Sequence, residues 1–96
     1  MSERFQGWRN KFTWLCELHL ENDEYIYNDI RCYVRDLKTL SKDKADTIYC
    51  LKDYIYNYVK ENLLSNENFS IFETDLIEYA IAEIDFWEIA ENWLDM

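Results

Sequence analysis

Cys16 and His19 stand three residues apart, and Cys32 and Cys50 follow further along the chain. Thiolate sulfur and imidazole nitrogen are preferred zinc ligands, so these four residues are the first place to look for metal chemistry. They lack the second close pair, C-x-x-C or H-x-x-x-H, that closes a tetrahedral shell. Each cysteine also lies in or beside an apolar stretch, which fits a buried free thiol better than a ligand. A Cys16 nucleophile with His19 as its base would need a third residue to orient the imidazole and a loop to hold an oxyanion. The sequence suggests neither. No metal and no cofactor is expected.

Carboxylates are the other reactive groups present in quantity. With 20 acids in 96 residues, some pair will always lie at the separation a glycosidase uses, so that signal is non-specific. A single glycine leaves no Gly-rich loop to cradle a phosphate. The expected role is not enzymatic.

The arrangement of the acids is more informative than their number. After Lys60 there is no Lys, Arg or His, while Glu61, Glu67, Glu73, Asp75, Glu78, Glu83, Asp85, Glu88, Glu91 and Asp95 all follow. The whole formal charge of −10 therefore sits in residues 61–96. Acids near helix starts are favoured by the macrodipole, which accounts for some of them as ordinary surface. A merely soluble helical face, however, usually mixes signs to gain i,i+4 pairs, and here that gain is forgone. The pattern singles out Glu73, Asp75, Glu78, Glu83, Glu88, Glu91 and Asp95 as candidates for binding a basic partner. The eight tyrosines exceed what one buried stripe can hold, and Tyr54 and Tyr58 join the candidates as apolar anchors.

The same acidity excludes partners. A pI near 4.4 opposes contact with a nucleic-acid polyanion or an anionic membrane. Three cysteines outside any disulfide-rich pattern, no apolar leader and no membrane-length apolar run predict a soluble protein of a reducing cytoplasm.

These residues must be positioned by helices. One glycine and no proline leave almost no vocabulary for the turns that a many-stranded fold repeats. An aromatic content of 18% argues against disorder despite the charge. A single all-α domain is predicted, a compact bundle of four or five helices. Residues 12–20 read two ways. Phe12, Trp14, Cys16, Leu18 and Leu20 alternate as in a strand, while Trp14, Leu15 and Leu18 share a helical face with Asn10 or Thr13 as cap. The helix is preferred because no pairing strand follows.

Asn22 and Asp23 start a second helix with Ile26, Ile30, Tyr33, Val34 and Leu37 inward. Ser41 or Asp43 caps a third and longest helix, ending at Leu64 and placed at the centre of the bundle. Its buried line is Ile48, Leu51, Ile55, Val59 and Leu63. Ser70 and Glu73 form a capping box for a fourth, with Leu76, Ile77, Ala80, Ile81 and Ile84 inward. Asp85 and Glu88 repeat the pattern before a fifth. In that last helix Phe86, Trp87, Ile89, Ala90, Trp93 and Leu94 oppose Glu88, Glu91 and Asp95, as expected of a helix docked at the surface.

Two segments carry a resemblance. G7-W-x-N10-x-x-T13-W14 followed by L18-x-L20-x-N22-D23-E24-x-x-Y27, together with I84-D85-F86-x-E88-I89-A90, resembles a group of small uncharacterised proteins of phages and mobile elements. Phe12 and His19 depart from that pattern, where a small residue and an aromatic would be expected. The group supplies no catalytic residues. It implies a setting, a phage-type protein acting in the cytoplasm of a bacterial host, where small acidic proteins often inhibit defence systems. The expected function is an anti-CRISPR or anti-restriction inhibitor. Its partner would be a nucleic-acid-binding host defence protein or ribonucleoprotein complex, engaged through an acidic, partly DNA-mimicking face without direct nucleic-acid binding. The alternative is a non-enzymatic homodimeric adaptor or regulatory protein that binds a protein partner through its tyrosines.

Overall fold

The computed structural model describes residues 5–40, 43–65 and 68–95. Five helices follow one another: α1 Lys11–Asn22, α2 Glu24–Lys38, α3 Lys44–Leu64, α4 Ile71–Glu83 and α5 Phe86–Leu94. Residues 12–20 are helix, so the strand alternative falls. Ser41, the rival cap of the third helix, and Glu67 of the acidic run lie outside the described residues.

With so little Gly or Pro, the helix starts rest on side chains. Asn10, Asp23, Asp43, Ser70 and Asp85 each accept backbone N–H groups of the turn that follows. The Ser70–Glu73 box is reciprocal: Glu73 N–H donates to Ser70 Oγ at 3.1 Å, and Ser70 N–H donates back to Glu73 Oε1 at 3.2 Å. The lone glycine is also structural. Phe5 and Trp8 exchange two backbone hydrogen bonds of 2.7 and 2.8 Å across a two-residue turn. Its centre, Gln6 and Gly7, has φ of 51° and 86°. Two successive positive φ values are what a type I′ turn demands, and glycine meets that demand without strain.

The core contains Ile26, Ile30, Val34 and Leu37 of α2, Ile48, Leu51, Ile55 and Val59 of α3, and Phe86, Ile89, Ala90, Trp93 and Leu94 of α5. The long third helix and the short last one share the most extensive interface in the bundle. They run antiparallel, with Lys44 at the start of α3 meeting Asp95 beyond the end of α5. The last helix is therefore central and not docked on the outside: Ile89, Ala90 and Trp93 are completely buried.

Four apolar stripes end differently from the expectation. Leu63 is 44% exposed at the end of α3, and Trp87 is 39% exposed beside the buried Phe86. On α4 only Ile81 is buried, while Leu76 is exposed and Ile77, Ala80 and Ile84 are half-buried. Helix α1 departs furthest. Leu15 and Leu18 face outward, and the buried line is Thr13, Glu17 and Leu20.

Polar bonds to distant residues explain why Thr13 turns inward. Thr13 Oγ1 donates to Asn10 Oδ1 at 2.8 Å and accepts Asp85 N–H at 2.9 Å. Asn10 Nδ2 donates to the Glu83 carbonyl at 2.7 Å. The start of α1 thus clamps the joint between α4 and α5, and the two segments of the sequence resemblance meet at this clamp. Thr13→Val keeps the volume and removes the hydroxyl, leaving Asp85 N–H without its acceptor. A loss of about 2 kcal/mol is expected, read by denaturant unfolding. A change under about 0.5 kcal/mol would show that the clamp contributes little.

Candidate functional site

Apart from Glu61 on α3, the described acids that follow Lys60 divide into two groups, on α4 and on α5 with its caps, and the backbones of these two helices do not approach each other closely. The α5 group is largely engaged within the molecule. Arg9 N–H donates to Glu88 Oε1 at 2.8 Å, Arg9 Nη1 lies 3.5 Å from Asp85 Oδ2, and Lys44 Nζ lies 3.7 Å from Asp95 Oδ1. Bases absent from the second part of the sequence are supplied by the first. Glu91 is half-buried on the same helix.

The α4 group differs. Glu73 is committed to the capping box. Asp75, Glu78 and Glu83 are exposed, and their carboxylates make no hydrogen bond or ion pair among the described residues. Between them on the outward surface of α4 stand Ile71, Phe72, Leu76 and Tyr79, from 54% to 83% exposed. Burying one such side chain stabilises a protein by ~1.5–3 kcal/mol, so four left in water on one helix is a large forgone gain.

Tyr54 and Tyr58 belong to neither acidic group. Tyr54 stacks on Tyr33 of α2 with ring centroids 4.3 Å apart. Burial raises the pKa of Tyr33, Tyr54 and Tyr58, with Asp29 adding to the effect at the last two. Tyr58 also reaches a groove of about 810 Å³. The backbones of α1 and α3 do not approach each other closely, and the groove lies between these two helices. Leu20, Ile26 and Val59 contribute buried apolar surface to it; Phe12, Leu15 and Leu63 form exposed walls, and Ala80 of α4 and Ile84 just beyond its end line it as well.

Cys16 and His19 lie on this groove. Burial, aided by the neighbouring Glu17 charge, pushes the Cys16 pKa up to about 12. It stays a thiol near neutral pH, a weak nucleophile and a poor ligand. Cys32 is exposed on α2 with Arg35 Nη2 3.8 Å from its sulfur, and Cys50 is half-buried on α3. Among the described residues no three His, Cys, Asp or Glu side chains gather as a metal site would require. No helix among them is long and apolar enough to cross a membrane.

A model of a protein family of unknown function, DUF7249, matches residues 1–95. The chain belongs to that family. No curated protein and no solved structure matches it. The DUF7249 match takes in all five helices and the clamp between Asn10, Thr13 and the α4–α5 joint. The family name assigns no activity, so no residue role can be transferred from it.

Sequence reasoning missed Glu17 and the groove. Glu17 is 2% exposed, and its pKa is raised to about 7, chiefly by burial and then by the charge of Glu21. Asn92 Nδ2 donates to its Oε2 at 3.2 Å. Its Oε1 and the indole Nε1 of Trp93 are buried without a well-formed hydrogen bond, although the indole still favours the carboxylate form. The available signal was the helical line Thr13, Glu17, Leu20, which reads as polar and therefore as outward.

Proposed function

We propose that this DUF7249 protein is a non-enzymatic, stoichiometric binding protein, a phage-type inhibitor of a bacterial defence system. Its partner is a nucleic-acid-binding host defence protein or ribonucleoprotein complex in the bacterial cytoplasm, of the CRISPR or restriction type. The observation that carries this proposal is the outward surface of α4, where the carboxylates of Asp75, Glu78 and Glu83, without a hydrogen bond or ion pair among the described residues, stand beside four exposed apolar side chains. Asp75, Glu78 and Glu83 offer a row of negative charge to Lys and Arg that otherwise grip phosphates. Charge complementarity of this kind speeds association and selects the partner. Phe72, Leu76 and Tyr79 supply the desolvated anchors that slow dissociation. The α5 acids contribute background potential, since Glu88 and Asp95 already have partners within the chain.

The test is expression in hosts that restrict an incoming phage by a CRISPR effector or by a restriction enzyme. Plating should rise at least about tenfold in one of them. The combined substitution Asp75→Lys, Glu78→Lys, Glu83→Lys should return plating to the control level while helix content stays unchanged. No rise in either host, or full inhibition by the triple variant, would overturn the proposal.

A homodimeric adaptor is the second reading, favoured by the exposure of Tyr25, Tyr49 and Tyr54. A tight dimer on sizing chromatography that persists in high salt would support it.

A further inference from the structure

We infer that the groove between α1 and α3 receives a basic amphipathic helix of the protein partner; this rests on the chain being a stoichiometric binder, and it names the element that is bound. Three observations select that occupant. The first is length. Apolar surface does not stop at the rim of the groove: Ala80 and Ile84 line it, and Leu76 and Phe72 continue the exposed surface of α4 towards its start. From Phe72 to Glu83 the helix rises ~16 Å, about three turns, which is the span of an amphipathic helix read at i, i+3, i+4 and i+7 and is long for a compact metabolite.

The second is charge. Among the described residues the groove lining includes Asp23 and Glu24, and no Lys or Arg. Glu83 stands on the exposed side of α4, one helical turn from Ala80. An occupant with Lys or Arg flanking its apolar stripe gains at both edges, whereas a second copy of this chain, at a net charge of −10, would bring acid against acid. The third is construction. The groove exists because α1 turns Thr13 and Glu17 inward, which leaves Phe12 and Leu15 outward at about 40% exposure. Polar bonds hold α1 in this orientation, two of them at the α4–α5 joint and one from Glu17 to Asn92 on α5, so the wall is fixed before any partner arrives.

The probe is a synthetic helical peptide of about 14 residues with leucines at the i, i+3, i+4 and i+7 positions and lysines elsewhere. It is titrated into the isotopically labelled full chain and followed by amide chemical shifts. Binding on the order of tens of micromolar is expected, with shifts confined to α1, the start of α2, the second half of α3 and α4. A scrambled peptide, and one with glutamates in place of the lysines, should bind at least about tenfold more weakly. Leu63→Lys and Ala80→Arg, which charge or fill the groove, should each weaken the lysine peptide about tenfold with melting unchanged.

Shifts elsewhere, equal binding of the scrambled peptide, or indifference to both substitutions would overturn the inference. So would occupation of the groove by dodecyltrimethylammonium when the peptide fails, which would assign it to a small amphiphile. A concentration-dependent dimer dissolved by Leu63→Lys would assign it to a second copy. If Leu63→Lys keeps the plating effect that the triple α4 variant loses, the groove inference falls and the acidic surface stands. If the wild-type chain gives no plating effect, the proposed inhibition falls, whatever the peptide does.

Discussion

Glu17→Gln should stabilise the protein at pH 8 by about 3 kcal/mol and leave its stability near pH 4.5 almost unchanged. Glu17 is 2% exposed, and its folded pKa of about 7 lies above the ordinary carboxylate value of 4.5. Between those values the unfolded chain releases the Glu17 proton and the folded chain keeps it. The contribution of Glu17 is thus fully present below pH 4.5, declines as pH rises through the folded value near 7, and is absent above it. Each pH unit in that window costs ~1.4 kcal/mol. Glutamine cannot ionise and still offers an oxygen to Asn92 Nδ2. The measurement is urea unfolding of both proteins at pH 4.5, 6 and 8. Comparing the two cancels the background titration of the other carboxylates. Parallel stability profiles would mean that Glu17 is solvated in the folded state.

Trp93→Ala should cost ~3–5 kcal/mol, a large share of the 5–15 kcal/mol by which small domains are stable. The indole is completely buried, with its ring centroid 5.2 Å from that of Tyr27 on α2 and its N–H beside Glu17 of α1. Removing it opens a cavity where α1, α2 and α5 meet, and leaves the buried Glu17 carboxyl with Asn92 as its remaining hydrogen-bond partner. Loss of near-ultraviolet dichroism and a collapsed melting transition are expected at neutral pH. Trp87→Ala, one helix turn and a half earlier and 39% exposed, should cost about 1 kcal/mol or less. Equal effects of the two would contradict the central position of α5.

The contrast between those tryptophans shows what periodicity reveals. The caps were legible because Asn, Asp and Ser act on the turn that follows them, a local relation. The inward lines of α2 and of most of α3 were legible because regular apolar spacing marks a common face. Spacing does not say where that face points. For α1 and α4 the decision came from partners far along the chain: Thr13 meets Asp85, Glu17 meets Asn92, and of α4 only Ile81 is fully buried. Charge behaved in the same way. Ten acids without a neighbouring base read as one surface, yet Arg9 and Lys44 return to Asp85 and Asp95 across the fold. The candidate site was legible in its chemistry, acid and aromatic, and illegible in its location, because packing decides which of those side chains remain free.

The position of α5 also sets the order in which the molecule can be made. A ribosome delivers α1 to α4 first, and at that stage the inner faces of α2 and α3 have no central helix to cover them. Ile89, Ala90 and Trp93 arrive last and fill the middle, and the Asp85 N–H that Thr13 holds arrives only shortly before them. The packing of α2 and α3 is therefore complete only once α5 has been made.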